Sequence, residues 1–544
     1  MDTNNIKGNI GLAQINLRAG DLEYNSKKII DYINKAKEQN LDIIVFPKHS
    51  LLGCELDKFI DRYPFIIKEE QKWLEKIAEA SHNISSIVGY INSKKQQVFA
   101  ILRNGKIVQE IENTEIITSK LFNDGVEFLI KPASVPSRCG SEYNRQRILS
   151  ELAKERKRVL VEVNQVGAID CYSYAGLSCG YDENGTLFAL ANDFEEQLLI
   201  IDTYQKQSYI NKKIDIKNMP STFSLDYEWD LERTYKSIVQ AIKDYFVKCG
   251  LKRAVLGLSG GLDSTVCAVL LADALGKENV FGVSMPSKLT SQESKSDAEI
   301  LAKNLGINFA EASIKPMFQT TSECLESLFE DVNKYWQCRY KTSFTADNIQ
   351  ARSRAIYLWG VANEFEACSP IATSDKSELY MGYATINGDM SGGFAPIADV
   401  TKTKLFALAR WMNKNRTEKN AIPESVLLKR PGAELAIDPK TGKTLCAEDA
   451  LMPYEFLDEI IWRVENQQAD YHKLLNTTFL YESKNNISHE QKIEWLNKFY
   501  KRMSSSLYKA TIMPPAVVVD SESINKCEYS LPITSGHINY KGLS

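Results

Sequence analysis

The string SGGLDSTVC holds the residues best suited to chemistry: Gly257 and Leu258 end an apolar run, Ser259, Gly260 and Gly261 make a tight turn, and past Leu262 the residues Asp263, Ser264 and Thr265 open a helix. Glycines let backbone amides approach an anion closely, and a helix N-terminus adds unpaired N–H groups and the positive end of a dipole. The expected guest of residues 257–264 is a phosphate or pyrophosphate. A bare carboxylate would repel that guest, so Asp263 makes chemical sense with Mg2+ bridging it to phosphate oxygens. The string differs from the loop GxxxxGK[ST], because no Lys stands at the helix start. A lone Ser-Gly-Gly is more often an ordinary capped turn; the whole string between a strand and a helix is what points to a nucleotide.

The elements that must position this loop alternate along the chain. Tyr235, Ile238, Val239, Ile242, Tyr245 and Phe246 recur at helical spacing, the strand AVLGL follows, then the Gly-rich turn and a helix, then a second strand at NVFGVS. This order argues for a parallel sheet covered by helices, with ligands at the carboxyl ends of the strands. The first 200 or so residues alternate in a similar way, through IGLAQINL, SKKIIDYINKAKEQN, LDIIVFP, a helix near Phe65 to His82, and SIVGYI. They are expected to form a separate α/β layered domain over residues 1–202, joined by a polar linker at 203–227 to a second domain at 228–544.

The bulk properties agree with two domains. A chain of 544 residues exceeds the size at which one core keeps growing, and its 44% hydrophobic and 25% charged residues are ordinary for a soluble protein. A net charge of −4 with Lys and Arg scattered among acids disfavours nucleic acid as a partner. No apolar run is long enough to span a membrane, the N-terminal MDTNNIKGNIG lacks a secretory pattern, and the 11 cysteines form neither a CxxC pair nor a zinc-spaced cluster. The expected location is the cytosol, with free thiols.

SGGLDS resembles the pyrophosphate-binding loop of enzymes that split ATP into AMP and pyrophosphate. The blocks that follow, MPSKLTSQESKSDAEILAKNLGI, DNIQARSRAIYLWGVAN, TSDKSELYMGYATINGDMSGGFAPIADVTKTKLF and YKATIMPP, resemble the glutamine-type NAD+ synthetases in matching order, from about Tyr227 to Pro515. The resemblance implies a doubly wound parallel sheet with helices on both faces, of the adenine nucleotide α-hydrolase-like kind. It implies that ATP adenylates the carboxylate of nicotinic acid adenine dinucleotide and that ammonia then displaces AMP. By the same resemblance Thr373 and Lys402 contact ATP, Glu378 joins Asp263 in holding Mg2+, and Asn348, Arg352, Glu378 and Lys509 bind the dinucleotide substrate. Asp263, Glu378 and Lys402 are then the expected catalytic set, positioning charge more than moving protons. The family also implies a homo-oligomer. Two departures bear on phosphate contacts: Gly432 stands where the family usually has a hydroxyl, and Ala510 and Thr511 where basic residues are common.

Residues 8–54 and the string NQVGAIDCYSYAGLSCGYDENG resemble the carbon-nitrogen hydrolase domain of the same family, which implies a nitrilase-like α-β-β-α sandwich that frees ammonia from glutamine with a Glu, a Lys and a Cys. The Glu belongs in FPE, but the chain reads FPK, and an ammonium at Lys48 cannot accept a proton at neutral pH. The family's Lys aligns with Thr118, two residues from Lys120. Its ICED nucleophile strand has no counterpart, and Cys139 in SRCGSE lacks the surroundings of an activated thiol. The amidase chemistry is therefore expected to be lost, leaving free ammonia as the nitrogen donor. Competing readings are a non-catalytic nucleotide-binding scaffold, a glutamine-dependent enzyme with an unrecognised nucleophile, and an RNA-modifying relative of the loop, which would need a basic surface that the composition lacks.

Overall fold

The computed structural model describes residues 9–55, 57–112, 116–118, 128–203, 205–206, 228–287, 290–336, 344–432 and 446–524. The chain divides into two compact units, Met1–Met219 and Pro220–Ser544. Lys120, residues 121–127 of the LFNDGVEF stretch and nearly all of the expected linker lie outside the described residues.

In the first unit the strands are β1 (Asn9–Gln14), β2 (Ile43–Val45), β3 (Ser85–Ile91), β4 (Gln97–Arg103), β5 (Lys106–Glu112), β6 (Ile117–Thr118), β7 (Leu129–Pro132), β8 (Leu160–Val163), β9 (Val166–Ile169), β10 (Tyr172–Ala175), β11 (Cys179–Tyr181), β12 (Leu187–Leu190) and β13 (Gln197–Asp202). One sheet has the order β13-β1-β2-β3-β4-β5 and a second the order β12-β11-β8-β7-β6. Strands β1 to β3 are parallel and apolar on successive residues, as strands covered on both faces must be. Leu12, Val45 and Ile87 meet Ile130, Val161 and Val163 of the second sheet. Their neighbours Ala13, Ile44 and Val88 pack on Ile29 and Ile33 of the helix Leu22–Glu38 and on Leu74 and Ile77 of the helix Phe65–Ala80. Leu129, Leu160 and Cys179, on the outer face of the second sheet, cover Leu149 and Ala153 of the helix Ser141–Arg156. The result is an α-β-β-α sandwich.

In the second unit β14 (Arg253–Gly257), β15 (Val280–Ser284), β16 (Asn308–Glu311) and β17 (Cys368–Pro370) form a parallel sheet in the order β16-β15-β14-β17. The helix Leu262–Leu275 is buried almost all round, because it packs on the sheet and beneath the helices Glu228–Lys248 and Lys402–Asn415. On the opposite face Val255, Val283 and Met285 pack on Leu358 of the helix Phe344–Glu364. The chain leaves β14 through β15 and β16 on one side and returns to β17 on the other, so β14 borders the switch point where open α/β sheets hold ligands. A further core joins the helices Tyr454–Gln467 and His489–Ala510 around Phe456, Phe479 and Phe499. Among the described residues no helix is long and apolar enough to cross a membrane.

Candidate active site

Residues 257–264 sit at the carboxyl end of β14, and the helix opens at Leu262, one residue before Asp263. The amide of Leu258 still donates to Val283 O at 2.9 Å, so the turn starts only at Ser259. Gly260 has φ +75°, and a Cβ there would lie 2.2 Å from the carbonyl oxygen of Ser294. Both the dihedral and the close approach demand glycine. Ser264 braces the turn, its Oγ 3.1 Å from that of Ser259 and accepting from the Ser259 amide at 3.3 Å. No side chain caps the helix at Gly261, which leaves first-turn amides for a ligand.

Beside this loop the segment after β17 turns into the short helix Lys376–Tyr380, with Asp375 as its cap accepting from the Glu378 amide at 2.9 Å. The helix Lys402–Asn415 starts next to it. Lys402 N donates to Ser377 Oγ at 2.9 Å, Thr403 N donates to Asp458 Oδ2 at 2.7 Å, and Ser377 Oγ donates to Asp458 Oδ1 at 2.5 Å. Asp458, fully buried on the helix Tyr454–Gln467, thus pins two helix starts together, and burial pushes its carboxyl up to about 6.

That arrangement aims the Lys402 ammonium at three carboxylates: 2.6 Å from Asp263, 2.6 Å from Asp375 and 3.1 Å from Glu378. One oxygen of each acid lies within 4.8 Å of the others, a set that could hold a metal ion. Burial works against the Lys402 charge, but the three acids outweigh it and hold the amine protonated well above the usual lysine range. Burial likewise pushes Asp375 up to about 7 and Glu378 well above the carboxylate range, despite the nearby ammonium. The ring of Tyr454 lies 5.5 Å from Lys402 Nζ.

Asp263, Glu378 and Lys402, expected together from the sequence, do converge. Thr373 lies two residues before Asp375 on the same segment, partly buried. Asp375 was not anticipated, although Asp followed three residues later by Glu is a visible capping pattern. Asn348, Arg352 and Lys509 gather on a neighbouring segment, 382–389. Thr385 Oγ1 donates to Asn348 Oδ1 at 2.9 Å, Arg352 Nε to Ile386 O at 3.2 Å, and Lys509 Nζ to Gly382 O at 2.8 Å and Ala384 O at 2.7 Å. Asp389 ties this segment to the charge cluster, accepting from Thr385 N at 2.7 Å and from Ser374 Oγ at 3.4 Å. Gly432 is exposed, Ala510 is buried at the end of its helix, and Thr511 Oγ1 donates to Tyr508 O at 2.7 Å.

In the first unit Lys48 follows β2 and is partly buried, its amide donating to Ala133 O at 3.2 Å just past the end of β7. Its neighbour His49 is buried 2.9 Å from Gln97 Oε1, and burial with the adjacent Lys48 charge pushes it down to about 4. Thr118 pairs with Leu129 in the sheet. Cys139 precedes the helix Ser141–Arg156, partly buried, whereas Cys54, Cys171 and Cys179 are buried. The buried acids are engaged: Glu70 by the Ile91 amide, Glu142 by the Ser137 hydroxyl, and Glu162 by Arg145 at 2.8 Å and Lys131 at 3.1 Å.

Known proteins match both units. A sequence model described as NAD synthase matches residues 234–503. The glutamine-dependent NAD(+) synthetase of Synechocystis sp. is 30% identical over 531 residues, covering 86% of this chain and 90% of that protein. That of Thermotoga maritima is 31% identical over 523 residues, covering 83% and 88%. Among solved structures, glutamine-dependent NAD+ synthetase from Acinetobacter baumannii in complex with ADP superposes with a TM-score of 0.68 at 25% identity, covering 97% of this chain and 99% of that one. The fold is also that of a glutamine-dependent NAD(+) synthetase from Cytophaga hutchinsonii, with a TM-score of 0.76, 20% identity, and 97% and 98% of the two chains covered. This likeness runs through both units and most of the chain, and on it the chain belongs to the glutamine-dependent NAD(+) synthetase family.

Proposed function

We propose that the chain, as an NAD+ synthetase, amidates nicotinic acid adenine dinucleotide at the expense of ATP, and that its nitrogen comes from free ammonia. The observation that carries the synthetase site is the convergence of Asp263, Asp375, Glu378 and Lys402 beside the uncapped loop at the end of β14. In the first step a substrate carboxylate oxygen attacks the α-phosphorus of ATP and pyrophosphate leaves. Ammonia then attacks the acyl carbon of the adenylate, losing a proton as AMP departs. The uncapped first-turn amides that begin at Leu262 hold the leaving phosphates, and Lys402 offsets their charge before the reaction begins. Asn348, Arg352 and Lys509, which hydrogen-bond to segment 382–389, orient the dinucleotide.

The acids fit a magnesium ion. Three hard oxygen donors converge on one point, and among the described residues Lys402 is the cation paired with all three. Asp263, Asp375 and Glu378 would hold the ion, which supplies charge neutralisation to the phosphates. The chain's own residues position the nucleotide around it.

Loss of the amidase chemistry is supported by Lys48 in the position of a proton acceptor, by acids engaged elsewhere, and by the burial of Cys54, Cys171 and Cys179. Burial pushes Cys179 up to about 12, which makes it inert as a nucleophile. The first unit then serves as a scaffold. The test is NAD+ formation by the purified chain with ammonium or glutamine as sole nitrogen source. Ammonium should support turnover and glutamine should not; efficient use of glutamine, abolished by mutating one cysteine, would overturn the assignment.

A further inference from the structure

We propose that Lys402 is the resident counter-ion of the Asp263–Asp375–Glu378 site and surrenders it to a divalent cation when nucleotide enters, its ammonium passing from the acids to the phosphates. This rests on the synthetase reading given above. The ammonium stands 2.6, 2.6 and 3.1 Å from three acids whose oxygens lie within 4.8 Å of one another, which is where a cation held by all three would sit. Two cations cannot share that point, because like charges at contact distance in a buried site repel strongly. One must leave when the other arrives.

The side chain is built to move and its helix is not. Lys402 N and Thr403 N are fixed by Ser377 and Asp458, so the helix start stays in place while the four-carbon stem of Lys402 swings. A second group waits at the same place. Tyr454 is 3% exposed, its hydroxyl has no hydrogen-bond partner among the described residues, and it lies within the field of Lys402 and all three acids. A buried hydroxyl without a partner is a donor held for an acceptor that arrives with the ligand. Exchange of this kind makes metal binding conditional: a free divalent ion must displace Lys402 with nothing to receive it, whereas a nucleotide-bound ion brings phosphates that take the ammonium. Apparent affinity for the bare ion is lowered by the fraction of molecules in which the site is free of Lys402.

The probe is Mn2+ without nucleotide, titrated into the full chain and followed through the paramagnetic resonance signal of the free ion. Lys402→Gln should bind Mn2+ at least about tenfold more tightly than the unmodified chain. Adding Asp375→Asn to that variant should remove most of the gain. Equal or weaker Mn2+ binding by Lys402→Gln, with circular dichroism showing it folded, would overturn exchange, and an unchanged gain in the double variant would remove Asp375 from the site. Should Lys402→Gln fail to fold, anomalous scattering decides the matter in unmodified crystals holding Mn2+ and a non-hydrolysable ATP analogue. The ion should lie on the three acids with Lys402 Nζ displaced; an ion bound there with Nζ still among the acids refutes the proposal. Because neither readout needs turnover, a chain that makes no NAD+ can still show the exchange, and one that makes NAD+ can still fail to show it.

Discussion

Asp263 and Lys402 are 139 positions apart, yet they share a 2.6 Å hydrogen bond on which the proposed chemistry depends. Asp263 is the most accessible of the three acids, with 27% of its side chain exposed. Asp263→Asn should therefore change melting temperature little while slowing NAD+ formation by at least about 100-fold, the usual effect of removing one preorganised charged partner. Steady-state kinetics beside thermal unfolding checks both halves of that expectation. Glu70 in the first unit behaves in the opposite way, since it is buried against the Ile91 amide with no cation beside it among the described residues, and burial pushes it up to about 8 from 4.5. Its folded form keeps the proton longer than its unfolded form. Stability is then undiminished below about pH 4.5 and falls as pH rises toward 8, at up to about 1.4 kcal/mol per pKa unit. Glu70→Gln should flatten that slope and raise the melting temperature at pH 8; a parallel decline in both chains would show that Glu70 is not responsible. Neither residue's role was equally legible. Asp263 stands inside a motif, whereas Glu70 looks in sequence like any acid on a mixed-sign helix.

The starts of the helices Lys376–Tyr380 and Lys402–Asn415 are held in register by one buried acid, Asp458. Asp458→Ala removes the acceptor for Thr403 N and Ser377 Oγ together, and should cost about 1–2 kcal/mol of stability. It should also raise the KM for ATP, because Lys402 and Glu378 lose their fixed spacing. Asp458→Asn keeps one acceptor and should recover much of both losses; an alanine variant with unchanged KM would limit Asp458 to a structural role. The strands and helices around the loop were legible because apolar period and a Gly-rich turn are local signals. The pinning of one helix start by another was not, since LDEI reads as part of an amphipathic helix and nothing in it names the partner.

At the scale of the whole second unit, the segment from Pro515 to Ser523 closes the structure behind the site. Ala395 N donates to Pro515 O at 2.9 Å, Val519 N donates to Asp399 Oδ2 at 2.8 Å, and Asp520 receives Lys376 at 3.1 Å and Lys404 at 3.0 Å. Burial disfavours the Asp520 charge, but those two ammonium groups hold it down to about 2. Asp520→Ala should destabilise the protein by roughly 1–3 kcal/mol, as the loss of hydrogen bonds to charged groups does. Denaturant unfolding checks this, and an unchanged midpoint would show the segment to be dispensable. The sequence by itself determined the Gly-rich turn between a strand and a helix and the α/β order of both units, because each is written in contiguous residues or in a spacing set by one element, while Glu378, Lys402 and the departure at Lys48 were legible only through resemblance to a family. Only the tertiary structure decided that Asp375 completes the acidic set, that Lys402 stands in its midst, and that a C-terminal segment without a sequence signal braces Lys376 and Lys404. Those contacts join residues separated by tens to more than a hundred positions, and they form only where the sheet reverses its order at β14 and brings the ends of β14 and β17 side by side.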